Sequence, residues 1–256
     1  MLGAIAGDVI GSVYERRPIK TKQFPLFEER SRFTDDSVLT LAIADALLND
    51  SDYQTSLKNY SRRYPNAGYG GYFWRWAHSD EERPYNSWGN GSAMRVSPVG
   101  MAFDTPARVL EEAMRSSAVT HNHPEGIKGA QATALSVFLA RQGSSKEQIR
   151  AEIQSRFGYD LQRHVDQIRP GYQFDVSCQG TVPEALVAFL DAEDVEDAIR
   201  NAVSLGGDSD TLACIAGGVA SAFYGGVPAE IEEQVRIRLP EEFLEVLDAF
   251  QDRFGP

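Results

Sequence analysis

Carboxylates and hydroxyls are concentrated in two short segments that lie far apart in the chain. Residues 34–37 read TDDS, and residues 206–211 read GGDSDT. Adjacent carboxylates repel one another unless a cation or several hydrogen-bond donors neutralise them. Oxygen-only ligands favour hard divalent cations such as Mg²⁺ or Mn²⁺, whereas Zn²⁺ prefers His and Cys. The two segments together therefore predict one shared metal site and a metal-dependent enzyme.

Helix capping is the simpler interpretation of the same residues. Gly206 and Gly207 allow a tight turn, and an apolar helical pattern follows at once, which places Asp208 and Asp210 at a helix N-terminus. Capping requires only one Asp. Two Asp residues followed by Thr211 exceed that requirement, and this excess favours metal binding.

Apolar residues recur with helical spacing along most of the chain, as at residues 38–48, 127–138 and 195–205. The 210–224 segment is apolar on nearly every side, which predicts a central, buried helix. Its paired glycines at 217–218 lower helix propensity and predict a close approach of another helix. No long period-two alternation requires a sheet. The sequence therefore predicts an all-α fold, a compact orthogonal helical bundle.

Local signals predict where helices begin and where loops lie. Thr105 before Pro106 is typical of an N-cap with proline in the first turn. Residues 144–147 and 181–184 match the capping box, whose hydroxyl and carboxylate bond to free backbone donors. A further amphipathic helix is predicted at 240–254. Long loops are predicted at 14–31, 81–90 and 162–180.

Length and composition predict a single cytoplasmic domain spanning 1–256. The 256 residues are 42% hydrophobic, without the roughly 18 consecutive apolar residues of a membrane span, and Asp8 interrupts the opening apolar run. The formal net charge of −12 argues against sequence-independent duplex binding. The two cysteines fit a reducing compartment. Cys214 is predicted in the core, and Cys178 in a polar, exposed loop.

Four sequence blocks together resemble the ADP-ribosylglycohydrolases. They are residues 3–8 with Gly11 and Glu15, residues 34–37, residues 90–95 (NGSAMR) and residues 206–211. The resemblance extends to about Gly226. It implies an all-helical domain with a binuclear Mg²⁺ or Mn²⁺ site at helix N-termini, which hydrolyses the bond between ADP-ribose and an acceptor. The implied partner is an ADP-ribosylated protein or another ADP-ribosyl conjugate, with ADP-ribose as product and no membrane partner.

The resemblance also implies a role for particular side chains. The implied metal ligands are Thr34, Asp35, Asp36, Asp208, Asp210 and Thr211. The implied catalytic carboxylates, which position water, move a proton or stabilise oxocarbenium character, are Glu15 and Asp35. The implied substrate contacts are Asn90, Gly91, Ser92, His121 and Tyr172.

Several of these residues have structural alternatives. Glu15 would otherwise be a solvated loop residue, and His121 a helix cap or buried polar group. The His121/His123 pair does not predict zinc, because the cysteines are distant. Tyr172 either stacks on adenine or packs. Arg95 is given no ligand role, since it suits a structural ion pair.

The acceptor and the activity itself also have alternatives. Arginine-linked protein is the preferred substrate, because a negatively charged protein attracts a guanidinium. The competing interpretations are a crystallin-like binding protein on the same fold, and a two-metal nucleotide phosphohydrolase. Aromatic residues 69–76 are interpreted as packing residues.

Overall fold

The computed structural model describes residues 1–255, which form fifteen helices joined by loops. Within those residues the only extended pairing is an isolated antiparallel bridge between Gly89 and Ser177. The all-α prediction is confirmed. The helices are α1 (Leu2–Gly11), α2 (Asp35–Asn49), α3 (Tyr53–Arg63), α4 (Gly71–Ala77), α5 (Gly91–Met94), α6 (Ser97–Ala102), α7 (Pro106–Ala118), α8 (Pro124–Arg141), α9 (Lys146–Phe157), α10 (Val165–Ile168), α11 (Cys178–Leu190), α12 (Val195–Ser204), α13 (Ser209–Tyr224), α14 (Ala229–Arg236) and α15 (Glu241–Phe254).

Helix α13 lies at the centre of the molecule. Every residue from Ser209 to Ser221 is buried, and the helix packs against α1, α8, α11 and α12. A helix surrounded in this way needs apolar residues on all its faces. The predicted central helix is therefore confirmed. Across residues 1–255, no helix combines the length and apolar character that crossing a membrane requires.

Helices α1 and α13 approach each other backbone to backbone. A Cβ atom at Gly7 would overlap the carbonyl of Ala213, and one at Gly11 would overlap the backbone of Asp210. Gly217 likewise faces the α1 backbone, which confirms the predicted close approach. The contact places the C-terminal half of α1 beside the N-terminus of α13.

The predicted helix starts are partly correct. Thr105 caps α7 by accepting a hydrogen bond from the Arg108 amide, as predicted. The capping box before α9 lies one residue later than predicted, with Ser145 as cap and Gln148 as its partner. Glutamine serves there as well as glutamate, because its amide oxygen also accepts from the cap's backbone N–H.

The predicted helix start at Thr181 is wrong. Helix α11 begins at Cys178, because Ser177 Oγ accepts a hydrogen bond from the Gly180 amide and caps the helix earlier. With the short helix α10, this divides the predicted 162–180 loop. Cys178 is fully buried rather than exposed, and its thiol donates to the carbonyl of Gly89 at 3.0 Å.

Candidate metal and substrate site

The N-termini of α2 and α13 meet in a pocket of about 380 Å³, a size suited to a small molecule. Thr211 Oγ1 on α13 lies 3.4 Å from Asp36 Oδ2 on α2 and donates to it, which joins the two helix starts. The residues of the two acidic segments that line the pocket are Thr34, Asp35, Asp36, Asp208, Asp210 and Thr211. The structure therefore brings together all six residues for which metal binding was predicted.

The start of α2 is explained locally by capping, except at one carboxylate. Thr34 has extended backbone, and its Oγ1 accepts a hydrogen bond from the Asp36 amide at 3.3 Å. Asp35 and Asp36 occupy the first turn, where the helix dipole favours negative charge. Asp36, however, is only 2% exposed, and its Oδ1 has no hydrogen-bond partner within residues 1–255. A buried, unpartnered carboxylate oxygen is costly, and capping does not explain it.

Asp8 is a site residue for which the sequence analysis predicted no role. It is fully buried on α1, and its Oδ1 accepts a hydrogen bond from Thr34 Oγ1 at 2.6 Å. Its Oδ2 accepts from the amides of Thr34 and Ser37 at 2.9 and 3.0 Å, and from the Ser37 hydroxyl. Both carboxylate oxygens are thus occupied by donors at the start of α2. The Thr34 hydroxyl donates to Asp8 and accepts from the Asp36 amide, which leaves one oxygen lone pair for a cation.

We expect Asp8→Asn to weaken divalent-cation binding by about 10–100-fold, because an amide nitrogen cannot accept from the Thr34 or Ser37 donors. Isothermal titration calorimetry with Mn²⁺ measures this directly. The matched control is Asp104→Asn, whose side chain is 94% exposed. Unchanged Mn²⁺ affinity in a folded Asp8→Asn protein would contradict this role for Asp8.

The start of α13 depends on a glycine turn and on a contact from a distant loop. Gly206 adopts a positive φ of 66°, which glycine tolerates without strain. Asp208 precedes the helix without capping it, and its Oδ2 instead accepts from Asn90 Nδ2 at 2.7 Å. Asp210 is 5% exposed and accepts from the Thr211 amide at 3.0 Å.

The clustered carboxylates create a strongly unfavourable negative field. Oxygens of Asp8, Asp36 and Asp210 lie within 4.8 Å of one another. Burial, and then the neighbouring negative charges, raise the pKa values of Asp36 and Asp210 well above the usual carboxyl range. The same two causes raise the pKa of Asp35 to about 8. Oxygen donors with an unpartnered atom and excess negative charge fit a hard divalent cation.

The two predicted catalytic carboxylates also line the pocket. Glu15 lies after the end of α1 and is half-buried. Burial and the charge of Asp208 raise its pKa above that of an ordinary glutamate. Asp35 is adjacent to Asp36, with its amide bonded to the Ala67 carbonyl at 3.0 Å. The structure thus places both carboxylates beside the acidic cluster, while their catalytic roles remain predictions.

Three of the five predicted substrate contacts line the pocket, namely Asn90, Gly91 and His121. Ser92 and Tyr172 do not. Ser92 is 1% exposed, and its hydroxyl donates to the Gly126 carbonyl at 2.8 Å on the other side of α5. The Tyr172 hydroxyl donates to the Gly180 carbonyl at 2.9 Å, and its ring covers Gly207. Both side chains thus make packing contacts, while the contacts of Ser92 and Tyr172 with substrate stay predictions.

Other aromatic residues face the pocket instead. Tyr72 and Phe174 line it with side chains that are 71% and 55% exposed, and the partly buried Tyr85 lies beside them. Tyr72 belongs to the aromatic segment that was interpreted as packing. That interpretation holds for Trp76, which is buried and does not line the pocket, whereas Phe73 is buried and also lines it. The sequence of α4 does not indicate which of its aromatic residues lie beside the pocket.

Comparison with known proteins identifies the family. A sequence model described as ADP-ribosylglycohydrolase matches residues 1–254. The chain belongs to this family. The matched residues include the acidic segments at 34–37 and 206–211.

Individual relatives are similar over nearly the whole chain. ADP-ribosylhydrolase ARH3 of Gallus gallus is 27% identical and covers 98% of this chain and 89% of its own length. ADP-ribosylarginine hydrolase Tri1 of Pseudomonas putida is 29% identical and covers 92% of this chain and 72% of its own. A solved structure described as an ADP-ribosylglycohydrolase-related protein complex superimposes with a TM-score of 0.74. It is 26% identical and covers 98% of this chain and 96% of its own.

Proposed function

We propose that this protein is a hydrolase that uses two divalent cations, Mg²⁺ or Mn²⁺, to cleave the glycosidic bond between ADP-ribose and an acceptor. The observation that carries the proposal is the convergence of the two acidic segments in one pocket with Asn90, Gly91 and His121. The names of the relatives support ADP-ribosyl hydrolysis. The substrate would be an ADP-ribosylated protein or another ADP-ribosyl conjugate, and the product would be ADP-ribose.

In the proposed chemistry, bound metal ions and protein side chains have different roles. Bound divalent ions would supply positive charge that holds ribose hydroxyls and orients a water. The ligands would be Thr34, Asp35, Asp36, Asp208, Asp210 and Thr211.

On the protein side, Glu15 is suited to proton transfer, because its raised pKa brings it closer to neutral pH. The carboxylate of Asp35 would stabilise the oxocarbenium character that develops as the acceptor leaves. Asn90, held through its amide by Asp208 and Thr181, would contact the substrate beside Gly91.

The preferred acceptor is arginine. Glu15 and Asp208 would attract a guanidinium, and one relative is named as an ADP-ribosylarginine hydrolase. Two exposed arginines, Arg16 and Arg32, also line the pocket and would oppose a cationic acceptor. The relative rates on arginine-linked and serine-linked substrates therefore decide this part of the proposal.

The test is release of free ADP-ribose from arginine-linked, serine-linked, polymeric and DNA-linked substrates. Chelator-treated protein should release none, and Mg²⁺ or Mn²⁺ should restore release. Faster cleavage of serine-linked substrates would overturn the arginine preference. Release of inorganic phosphate from nucleotides instead would indicate a phosphohydrolase. ADP-ribose binding without any release would indicate a binding protein.

A further inference from the structure

Arg95 lines the same pocket and is a buried cation without a buried anion paired with it in residues 1–255. The side chain is fully buried at the end of α5, and within residues 1–255 no carboxylate forms an ion pair with it. Its Nη2 donates to the Ser116 carbonyl at 3.1 Å and to Thr120 Oγ1 at 2.8 Å, while its Nε and Nη1 have no partner there. Burial lowers its pKa to about 10, so it stays charged at neutral pH. The structural ion pair considered from the sequence is therefore not found.

Thr120 links this cation to His121. Thr120 Oγ1 lies 2.7 Å from His121 Nδ1. A guanidinium can only donate hydrogen bonds, so the hydroxyl oxygen must accept from Arg95. The hydroxyl keeps one proton, which it can give to Nδ1 only if that nitrogen carries a lone pair. The alternative, an Nδ1–H that donates to Thr120, would aim a second positive dipole at the oxygen that Arg95 already occupies.

The local charge selects between these two arrangements. The positive field of Arg95 favours a ring whose lone pair, rather than an N–H, faces the Thr120 side. Burial, followed by the charge of Arg95, lowers the pKa of His121 well below that of an ordinary histidine. The lowered pKa corresponds to a neutral ring at neutral pH, and the field of Arg95 favours the tautomer that carries its proton on Nε2.

The Nε2 edge of the ring lines the pocket together with Arg95. His121 lines the pocket and is 4% exposed. Its Nε2 would lie 3.2 Å from a Cβ at Gly91 and 3.6 Å from one at Gly89, so glycines leave this nitrogen uncovered. Within residues 1–255 it has no hydrogen-bond partner. Nε2 is therefore open to the pocket, where an oxygen atom of a ligand or of water can accept from it.

We propose that Arg95 and Thr120 are positioning residues that hold His121 as the neutral Nε2–H tautomer, a fixed hydrogen-bond donor for an oxygen atom of the bound ligand. The tautomer is a property of the free protein. That the oxygen which accepts this hydrogen bond belongs to ADP-ribose rests on the proposed function.

The experiment is long-range ¹H–¹⁵N correlation NMR of the histidine rings in the ligand-free protein at pH 7. The chain has four histidines, and loss of one ring signal in His121→Gln assigns the relevant one. Wild type and Thr120→Ser should show a pyrrole-type Nε2 and a pyridine-type Nδ1. Thr120→Val, which removes the hydroxyl at nearly constant volume, should show a mixture of tautomers. It should also bind ADP-ribose about tenfold more weakly, the effect of one lost hydrogen bond.

Two results would overturn the positioning role. One is an Nδ1–H or doubly protonated ring in the wild type, and the other is an unchanged tautomer in Thr120→Val. Melting temperatures of both Thr120 variants verify that they fold. The serine variant keeps the hydroxyl, so it separates the effect of losing the hydroxyl from the effect of replacing the side chain. If the ring shifts are as expected but wild type does not bind ADP-ribose in the presence of Mg²⁺, the proposed function fails while the positioning role stands.

Discussion

Asp36→Asn should reduce metal-dependent ADP-ribose release by on the order of 10³-fold and, at the same time, stabilise the metal-free protein by roughly 1–2 kcal/mol. Activity falls because the substitution removes a charged ligand at the centre of the cluster. Stability rises because burial, and then the charges of Asp8, Asp35 and Asp208, raise the pKa of Asp36 and disfavour its charged form. An uncharged amide ends that repulsion, and its N–H groups find carboxylate acceptors nearby.

The opposite signs make this variant more informative than a simple loss of activity. Single-turnover release of ADP-ribose and thermal unfolding in chelator should be measured on the same preparation. Asp104→Asn, which changes the same chemical group at an exposed position, should alter neither quantity. Retained activity would remove Asp36 from the metal site. A melting temperature of Asp36→Asn below that of the wild type in chelator would show that Asp36 is favourably hydrogen-bonded in the metal-free protein.

The parts of the site that the sequence predicted are those with local causes. Residues 34–37 and 206–211 each begin a helix, and capping, dipole and glycine-turn preferences act within a few positions of the chain. The central helix could be predicted for the same reason, because its apolar character extends around every face. The convergence of the two helix starts was inferred from excess charge, and the structure places them in one pocket.

The missed features depend on contacts between distant segments. Asp8 acquires its role from Thr34, which is 26 residues away, and a lone Asp in an apolar helix does not indicate which donors it will meet. The side chains of Asn90 and Ser92 lie on different sides of the backbone, so of these two side chains only that of Asn90 lines the pocket. Tyr172 packs on Gly207, whereas Phe174, two residues later, faces the pocket. Tertiary packing determines which of these side chains face the pocket.

In the absence of divalent cations, the protein should lose stability as the pH rises from about 5 to 8. Asp35 has a folded-state pKa of about 8, and burial and then neighbouring negative charges raise the pKa values of Asp36 and Asp210 well above the usual carboxyl range. The folded protein therefore binds more protons than the unfolded chain within this window. Linkage then requires the free energy of unfolding to fall as pH rises. The stabilising effect of protonation is complete at pH values below the ordinary carboxyl pKa. It is lost as the pH rises through the raised pKa of the folded state.

We expect a decrease of roughly 5–10 °C in melting temperature over this interval, since several carboxyls share the effect and Asp35 is partly exposed. Thermal unfolding in chelator measures it, and saturating Mg²⁺ should remove most of the dependence, because a bound cation replaces the protons as counter-charge. Asp36→Asn should flatten the chelator curve, while Asp104→Asn should reproduce the wild-type slope. A metal-free melting temperature that is constant or rises with pH would show that the buried carboxylates are already neutralised by their hydrogen bonds. The cluster would then have no excess charge for a cation to balance, and the electrostatic basis of the metal site would fail.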